Sequence, residues 1–145
     1  MIVYLDASAL VKRYIAEAGT ADVETLISEA EALGTAVVSR AEVAAACARA
    51  ARTGIVTRDA GVKALRAFST DWENLIRLQL SEPLAARAAL LAWEHGLRGY
   101  DSVHLACALS WSESLGESVV VATYDRELWR GARASGLGVW PAVFS

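Results

Sequence analysis

The chain begins with the stretch MIVYLDASALVKRYIAEAGT, residues 1–20, in which an apolar run passes through a single acid into a helical pattern. The run Ile2–Leu5 is too short for a helix, so it predicts a buried β-strand that ends at Asp6. A helix is expected from Ser8 to a stop at Gly19, and its apolar positions recur at helical spacing: Leu10, Val11, Tyr14 and Ile15. A strand that leads straight into a helix is typical of α/β proteins.

The rest of the chain continues this alternation. Strands are predicted at residues 35–38, 75–80, 118–123 and 137–140. Helices are predicted from Thr20 to a stop at Gly34 and over residues 39–53, 59–72, 82–95 and 101–115, with a final helix between the last two strands. Strands separated by helices require crossover connections. The sequence therefore predicts one α/β domain over residues 1–145, with a central parallel sheet of about five strands between helices on both faces.

Composition excludes several classes of protein. A chain of 145 residues is long enough to bury roughly 68–70% of its unfolded surface without disulfides. Hydrophobic residues make up 54% of it and charged residues 21%, which excludes an intrinsically disordered chain. Its uncharged stretches are shorter than the ~18 apolar residues that a membrane span needs. No basic segment precedes the first apolar run, so no secretory signal is expected and a cytoplasmic location without membrane attachment is predicted.

Net charge and cysteine content restrict the kinds of ligand that the protein is expected to bind. The net charge of −3 does not favour nucleic-acid binding by bulk electrostatics, so any polyanion would need a local counter-charge. Cys47 and Cys107 are not at metal-ligand spacing and lie among small apolar residues, so they are expected to be buried, inert thiols.

Four acids recur at one presumed edge of the sheet. Asp6 ends the first strand, and the other three stand in the turn after a strand or at a helix start: Glu42, Asp101 and Asp125. In open α/β sheets, ligands gather at the carboxyl ends of the strands, where helix N-termini also point. These four acids are therefore the candidate functional residues.

Each acid also has an ordinary structural explanation. Asp6, Asp101 and Asp125 stand where helix N-caps are expected. Ser39 and Glu42 have the S-x-x-E spacing of a capping box. The alternative hypothesis is thus a non-catalytic interaction domain whose acids only cap helices. Capping does not explain why acids recur at one edge of the sheet.

Converging carboxylates indicate a cation. They repel one another when they are brought together, and a protein keeps them so mainly to bind a positive ion. A donor set made only of oxygen favours Mg²⁺ or Mn²⁺, whose usual chemistry in proteins is phosphoryl transfer. His104 lies three residues after Asp101 and is predicted to face the same side. We interpret it as a packing residue, with a general base as the alternative.

At this point the residues resemble a known family. The segment LDASALVKRYIAEAGT at residues 5–20 is similar to the opening of PIN-domain ribonucleases, particularly VapC-type toxins. The matching positions are Asp6, Ser8, Ala9, Leu10, Lys12 and Tyr14. The family's further acids fall on Glu42 in SRAEVAAA, Asp101 in LRGYDSVHLACAL and Asp125 in VVVATYDREL. The resemblance thus spans the chain in the right order.

The resemblance implies a metal-dependent endoribonuclease that cuts a phosphodiester bond with activated water. The four acids would be its catalytic residues and its Mg²⁺ or Mn²⁺ ligands, and Ser8 and Thr123 would support them. The resemblance also implies a cognate antitoxin that silences the enzyme, and a homodimer is expected. RNA as the substrate, and the antitoxin, rest on the family alone. Apolar residues of the first two helices are the expected docking face: Leu10, Tyr14, Leu26 and Ile27.

Overall fold

The computed structural model describes residues 1–144, which form one sheet flanked by helices. The strands are β1 (Ile2–Leu5), β2 (Ala32–Ala36), β3 (Ile76–Leu78), β4 (Val119–Ala122) and β5 (Gly138–Trp140). The helices are α1 (Ala7–Leu10), α2 (Thr20–Glu29), α3 (Ser39–Arg52), α4 (Arg58–Trp72), α5 (Glu82–His95), α6 (Gly99–Leu115) and α7 (Arg126–Ala134). Within residues 1–144, no helix is long and apolar enough to cross a membrane.

All strand pairs are parallel, and the strand order is β3-β2-β1-β4-β5. The first strand of the chain is therefore the centre of the sheet. The chain leaves this strand on one side to build β2 and β3 and returns on the other side to build β4 and β5. The predicted parallel sheet of about five strands is confirmed.

Strand β1 separates two hydrophobic cores, because successive side chains of a strand point to opposite faces. Tyr4 points into a core that includes Leu105 of α6 and Leu128 of α7. Its neighbours Val3 and Leu5 point into a second core with side chains of α3 and α4. Helices thus cover both faces of the sheet, and the predicted α/β/α arrangement is confirmed. Cys47 and Cys107 are buried in different cores, as expected for inert thiols.

Strand β2 lies earlier than predicted. Helix α2 ends at Glu29, and Gly34 stands in the middle of the strand rather than at a helix terminus. An added Cβ at Gly34 would lie 2.7 Å from the ring of Trp111 in α6. The glycine is needed because a helix packs closely on the sheet at this point, and a single sequence gives no signal for that distant contact.

The segment after β1 is also less helical than predicted. Helix α1 is one turn long, and a 3₁₀ turn at Val11–Arg13 follows it. Thr20 does not cap α2, because Gly19 precedes the helix with a φ of 94°. Its hydroxyl instead donates to the Lys12 carbonyl and accepts from the backbone N–H of Glu17. This compact turn keeps the residues after Asp6 close to the end of β1.

We expect Gly34→Ala to destabilise the protein by roughly 1–3 kcal/mol, because the new methyl group would overlap the Trp111 ring in a packed core. Urea denaturation would measure the change. Gly99→Ala is the matched control, since a Cβ there meets no atom within 4 Å and alanine favours the start of α6. Equal stability of Gly34→Ala and the wild type would contradict this account of β2.

Candidate active site

The carboxyl ends of the parallel strands form one edge, and the predicted acids lie along it. Asp6 follows β1, and Asp125 lies three residues beyond β4. Glu42 is in the first turn of α3, and Asp101 is in the first turn of α6. Four separate segments therefore contribute one acid each to the same edge of the sheet.

Asp6 is buried, with 4% of its surface exposed, and three donors hold it. Its Oδ1 accepts from the Ser8 hydroxyl at 2.7 Å and from the Ala9 N–H at 3.0 Å. Its Oδ2 accepts from the Thr123 hydroxyl at 2.6 Å. Burial raises the pKa of Asp6, although the charge of His104 and these hydrogen bonds act in the opposite direction. Ser8 and Thr123 thus lie where a supporting role requires them.

The two hydroxyls also connect the segments after β1 and β4. Their oxygen atoms are 3.3 Å apart. The Ser8 oxygen accepts from the Tyr124 N–H at 2.9 Å, and the Thr123 oxygen accepts from the Asp125 N–H at 2.9 Å. This network fixes the position of Asp6 relative to Asp125.

Glu42 does not form the capping box that its spacing with Ser39 predicted. Helix α3 begins without a side-chain cap, and the Ser39 hydroxyl lies 2.7 Å from the hydroxyl of Thr35. The Glu42 Oε1 instead lies 2.7 Å from Nε2 of His104. The capping explanation is therefore wrong for Glu42.

His104 does more than pack its helix. Its Nδ1 lies 2.6 Å from the Tyr4 hydroxyl, and its Nε2 faces Glu42. Burial lowers the pKa of His104, but the hydrogen bond to Glu42 and the nearby charge of Asp6 outweigh it, so the pKa is raised overall. The sequence placed His104 on the same side as Asp101 but gave no signal for its two partners, which come from other elements.

Asp101 and Asp125 both pair with the cationic side chain of Arg98, which the sequence analysis missed. The Arg98 guanidinium donates from Nη2 to Oδ2 of Asp125 at 2.7 Å and from Nε to Oδ2 of Asp101 at 3.4 Å. The signal in the sequence is a basic residue three positions before Asp101, in the LRGYD segment. Burial and the charge of Asp125 raise the pKa of Asp101, and Arg98 opposes this rise.

Asp101 and Asp125 were both expected to cap a helix, but only one of them does. Asp125 caps α7, because its Oδ1 accepts from the N–H groups of Glu127 and Leu128 at 2.9 and 3.0 Å. Asp101 caps nothing, since α6 begins at Gly99 and Asp101 lies inside its first turn. The capping explanation is therefore right for Asp125 and wrong for Asp101. Asp6 caps α1 through its bond from Ala9.

The acids offer only oxygen donors, which is the chemistry that a hard metal ion prefers. Within residues 1–144, no three His, Cys, Asp or Glu side chains lie close enough together to hold a metal ion. Arg98 instead places a positive charge between two of the acids, and its side chain is 80% exposed. An open cleft of about 670 Å³ adjoins this place and is lined by Glu42, Arg98, Gly99, Tyr100, Asp101 and Val103.

Comparison with known proteins identifies the family. The PIN domain family model matches residues 3–134. The chain is 37% identical over 141 residues to ribonuclease VapC45 and to ribonuclease VapC49, both of Mycobacterium tuberculosis, covering 97% of this chain and 96% of each relative. A chain of a toxin–antitoxin complex from Klebsiella pneumoniae has the same fold, with a TM-score of 0.67 and 12% identity over 99% of both chains. The chain therefore belongs to the PIN-domain family and is of the VapC type.

Proposed function

We propose that this protein is a metal-dependent endoribonuclease and the toxin of a toxin–antitoxin pair, acting in the cytoplasm as one nuclease domain. The observation that carries the proposal is that Glu42 and Asp101 lie at the same edge as Asp6 and Asp125 without capping any helix. A helix-capping role leaves these two acids unexplained, whereas a cation site uses all four. The relatives named ribonuclease VapC support RNA as the substrate.

Mg²⁺ or Mn²⁺ would be held by the four acids, Asp6, Glu42, Asp101 and Asp125. Such a cation, when bound, lowers the pKa of water and neutralises charge on a phosphodiester. The protein's residues hold the carboxylates of the site in fixed positions. Ser8 and Thr123 do this for Asp6, because each donates a hydrogen bond to a different oxygen of its carboxylate.

Arg98 supplies the local counter-charge that an acidic protein needs to bind RNA. Its guanidinium lies at the rim of the open cleft, beside the two acids that it bridges. With a cation held by Asp101 and Asp125, the Arg98 guanidinium would be available to donate to a phosphate oxygen. The cleft is of a size that accommodates a nucleotide-sized ligand.

The proposal includes a cognate antitoxin and a homodimer. The similarity to a chain from a toxin–antitoxin complex supports the antitoxin. A basic side chain of that partner would replace Arg98 between Asp101 and Asp125, since a guanidinium already fits there. The expected docking face needs correction, because Leu10 and Leu26 are buried in the core and are not available to a partner.

We expect the purified protein to cleave RNA with Mg²⁺ or Mn²⁺ and to lose this activity in EDTA. Asp6→Asn, Glu42→Gln, Asp101→Asn and Asp125→Asn should each lower the rate by on the order of 100-fold while remaining folded, because each removes a ligand charge. The measurement is cleavage of a labelled RNA with circular dichroism as the folding check.

Glu31→Gln is the matched control for these variants. Glu31 is an exposed acid at the opposite edge of the sheet, where it pairs with the N-terminal amine. Its variant should cleave RNA at the wild-type rate. Retained activity in a double variant of Asp6 and Asp101 would overturn the assignment of the site.

Metal binding should also appear in thermal melts. At 100 times its dissociation constant, Mn²⁺ stabilises the folded state by about 2.7 kcal/mol, which raises the melting temperature by roughly 5–10 °C for a chain of this size. Asp101→Asn should abolish this shift. It should not lower the melting temperature of the metal-free protein: the pKa of Asp101 is raised on folding, so its ionised form at neutral pH opposes folding.

Thr57→Ala separates capping from metal binding. Thr57 caps α4 through the Ala60 N–H and lies outside the acidic edge. Its variant should melt at a lower temperature, with a loss of about 1 kcal/mol, and should keep the full Mn²⁺ shift. If Asp101→Asn behaved like Thr57→Ala, Asp101 would be a structural residue and the nuclease proposal would fail.

A further inference from the structure

We propose that Tyr4 and His104 are positioning residues that orient the Glu42 carboxylate. In this arrangement the Tyr4 hydroxyl donates to Nδ1 of the neutral imidazole and so holds the ring with its Nε2–H directed at Glu42. The inference deepens the proposed function and rests on it only for the catalytic role of Glu42. The hydrogen-bond chain itself is independent of RNA and of metal.

The three residues form a line from the centre of the sheet to the site. Tyr4 is fully buried in β1, and its hydroxyl lies 2.6 Å from Nδ1 of His104. The other imidazole nitrogen lies 2.7 Å from Oε1 of Glu42. His104 is itself 2% exposed, so water does not compete for either nitrogen. The Glu42 side chain is 29% exposed, and this buried donor holds it at the border of the cleft.

The chemistry of the two ends sets the direction of the chain. Burial keeps the pKa of Tyr4 well above its usual value, so the phenol retains its proton. Ionised Glu42 can only accept hydrogen bonds. In the neutral imidazole, the Tyr4 O–H therefore donates to Nδ1 and the Nε2–H donates to Glu42. The opposite tautomer would direct a lone pair of Nε2 at the carboxylate.

The charge of the imidazole affects its hydrogen bond with Tyr4 but not its hydrogen bond to Glu42. A neutral His104 that accepts from Tyr4 carries its proton on Nε2, and an imidazolium carries protons on both nitrogens. Glu42 receives an N–H in both states. Only the neutral tautomer with its proton on Nδ1 removes the donor, and the Tyr4 hydroxyl disfavours that tautomer.

A packing role and a positioning role give different expectations. Tyr4 and His104 also make an edge-to-face contact, with ring centroids 5.8 Å apart. If they only packed α6 onto β1, the hydroxyl of Tyr4 would be dispensable, because phenylalanine keeps the ring. If they position Glu42, removing the hydroxyl alone removes a hydrogen bond that orients the imidazole, and the site changes with it.

The first experiment reads the tautomer by ¹⁵N nuclear magnetic resonance of the imidazole nitrogens in the full chain. The protein has two histidines, so His95→Gln leaves His104 as the one resonance to assign. At a pH at which the imidazole is neutral, we expect Nε2 to be protonated in this background and Tyr4→Phe to change the ¹⁵N shift of Nδ1, which loses its hydrogen bond. A wild-type His104 protonated on Nδ1 alone, or a spectrum that Tyr4→Phe does not change, would overturn the proposal.

The second experiment measures Mn²⁺ binding by titration calorimetry. Tyr4→Phe and His104→Leu should weaken binding by about 10–100-fold, as is usual when a residue that supports a metal ligand is lost. His104→Gln should restore most of the affinity, because its amide N–H can donate to Glu42. Tyr14→Phe is the matched control, since it removes a hydroxyl that donates to Asp71 at 2.9 Å, away from the acidic edge.

The two experiments separate this inference from the proposed function. If the wild type bound no Mn²⁺, the nuclease proposal would fail. The ¹⁵N spectrum of His104 would still test whether Tyr4 orients the imidazole. If the wild type bound Mn²⁺ and Tyr4→Phe bound it equally well, the positioning role would be overturned while the nuclease proposal stood. Should His104→Leu fail to fold, Tyr4→Phe decides the matter, because it preserves the packed ring.

Discussion

The structure depends on how it accommodates negative charge at the end of its central strand, β1. Asp6 follows three fully buried residues of β1, and an ionised carboxylate without partners in such a place costs several kcal/mol. Hydrogen bonds from residues after β1 and β4 offset this free-energy cost. Ser8 and Thr123 donate to Asp6, and their oxygen atoms then accept backbone N–H groups of the β4 loop. The same hydrogen bonds therefore set the geometry of the two loops and stabilise the charge of Asp6.

The four acids are held by two kinds of donor. Asp6 and Glu42 take hydrogen bonds from buried groups that cannot leave, namely the two hydroxyls and the imidazole of His104. Asp101 and Asp125 instead share Arg98, whose long side chain is mostly in solvent. One half of the site is therefore fixed and the other half is exchangeable. A cation bound at this edge would have to displace only Arg98, while the donors to Asp6 and Glu42 could stay in place.

Local patterns in the sequence predicted the parts of the fold that depend on local physics. The apolar run that ends at Asp6 identified β1, and the alternation of strands and helices identified the parallel sheet. Gly34 was misinterpreted because a glycine that ends a helix and a glycine that admits a distant aromatic ring look alike in one sequence. The spacing of Ser39 and Glu42 matched a capping box, but their partners Thr35 and His104 come from other segments. Arg98 was missed because its role requires two acids that are 24 residues apart in sequence to be close in space.

Capping and cation binding are not exclusive roles for one carboxylate. Asp125 uses Oδ1 to accept both N–H groups of α7, and its Oδ2 remains for Arg98. Asp6 likewise caps α1 through Oδ1, and its Oδ2 accepts one hydroxyl. A carboxylate oxygen has two lone pairs, so the Oδ2 of Asp6 can accept one more partner. The helix N–H groups thus orient these acids and leave the second oxygen to the site. The capping hypothesis and the nuclease hypothesis consequently diverge only at Glu42 and Asp101, the two acids for which no helix terminus supplies a reason.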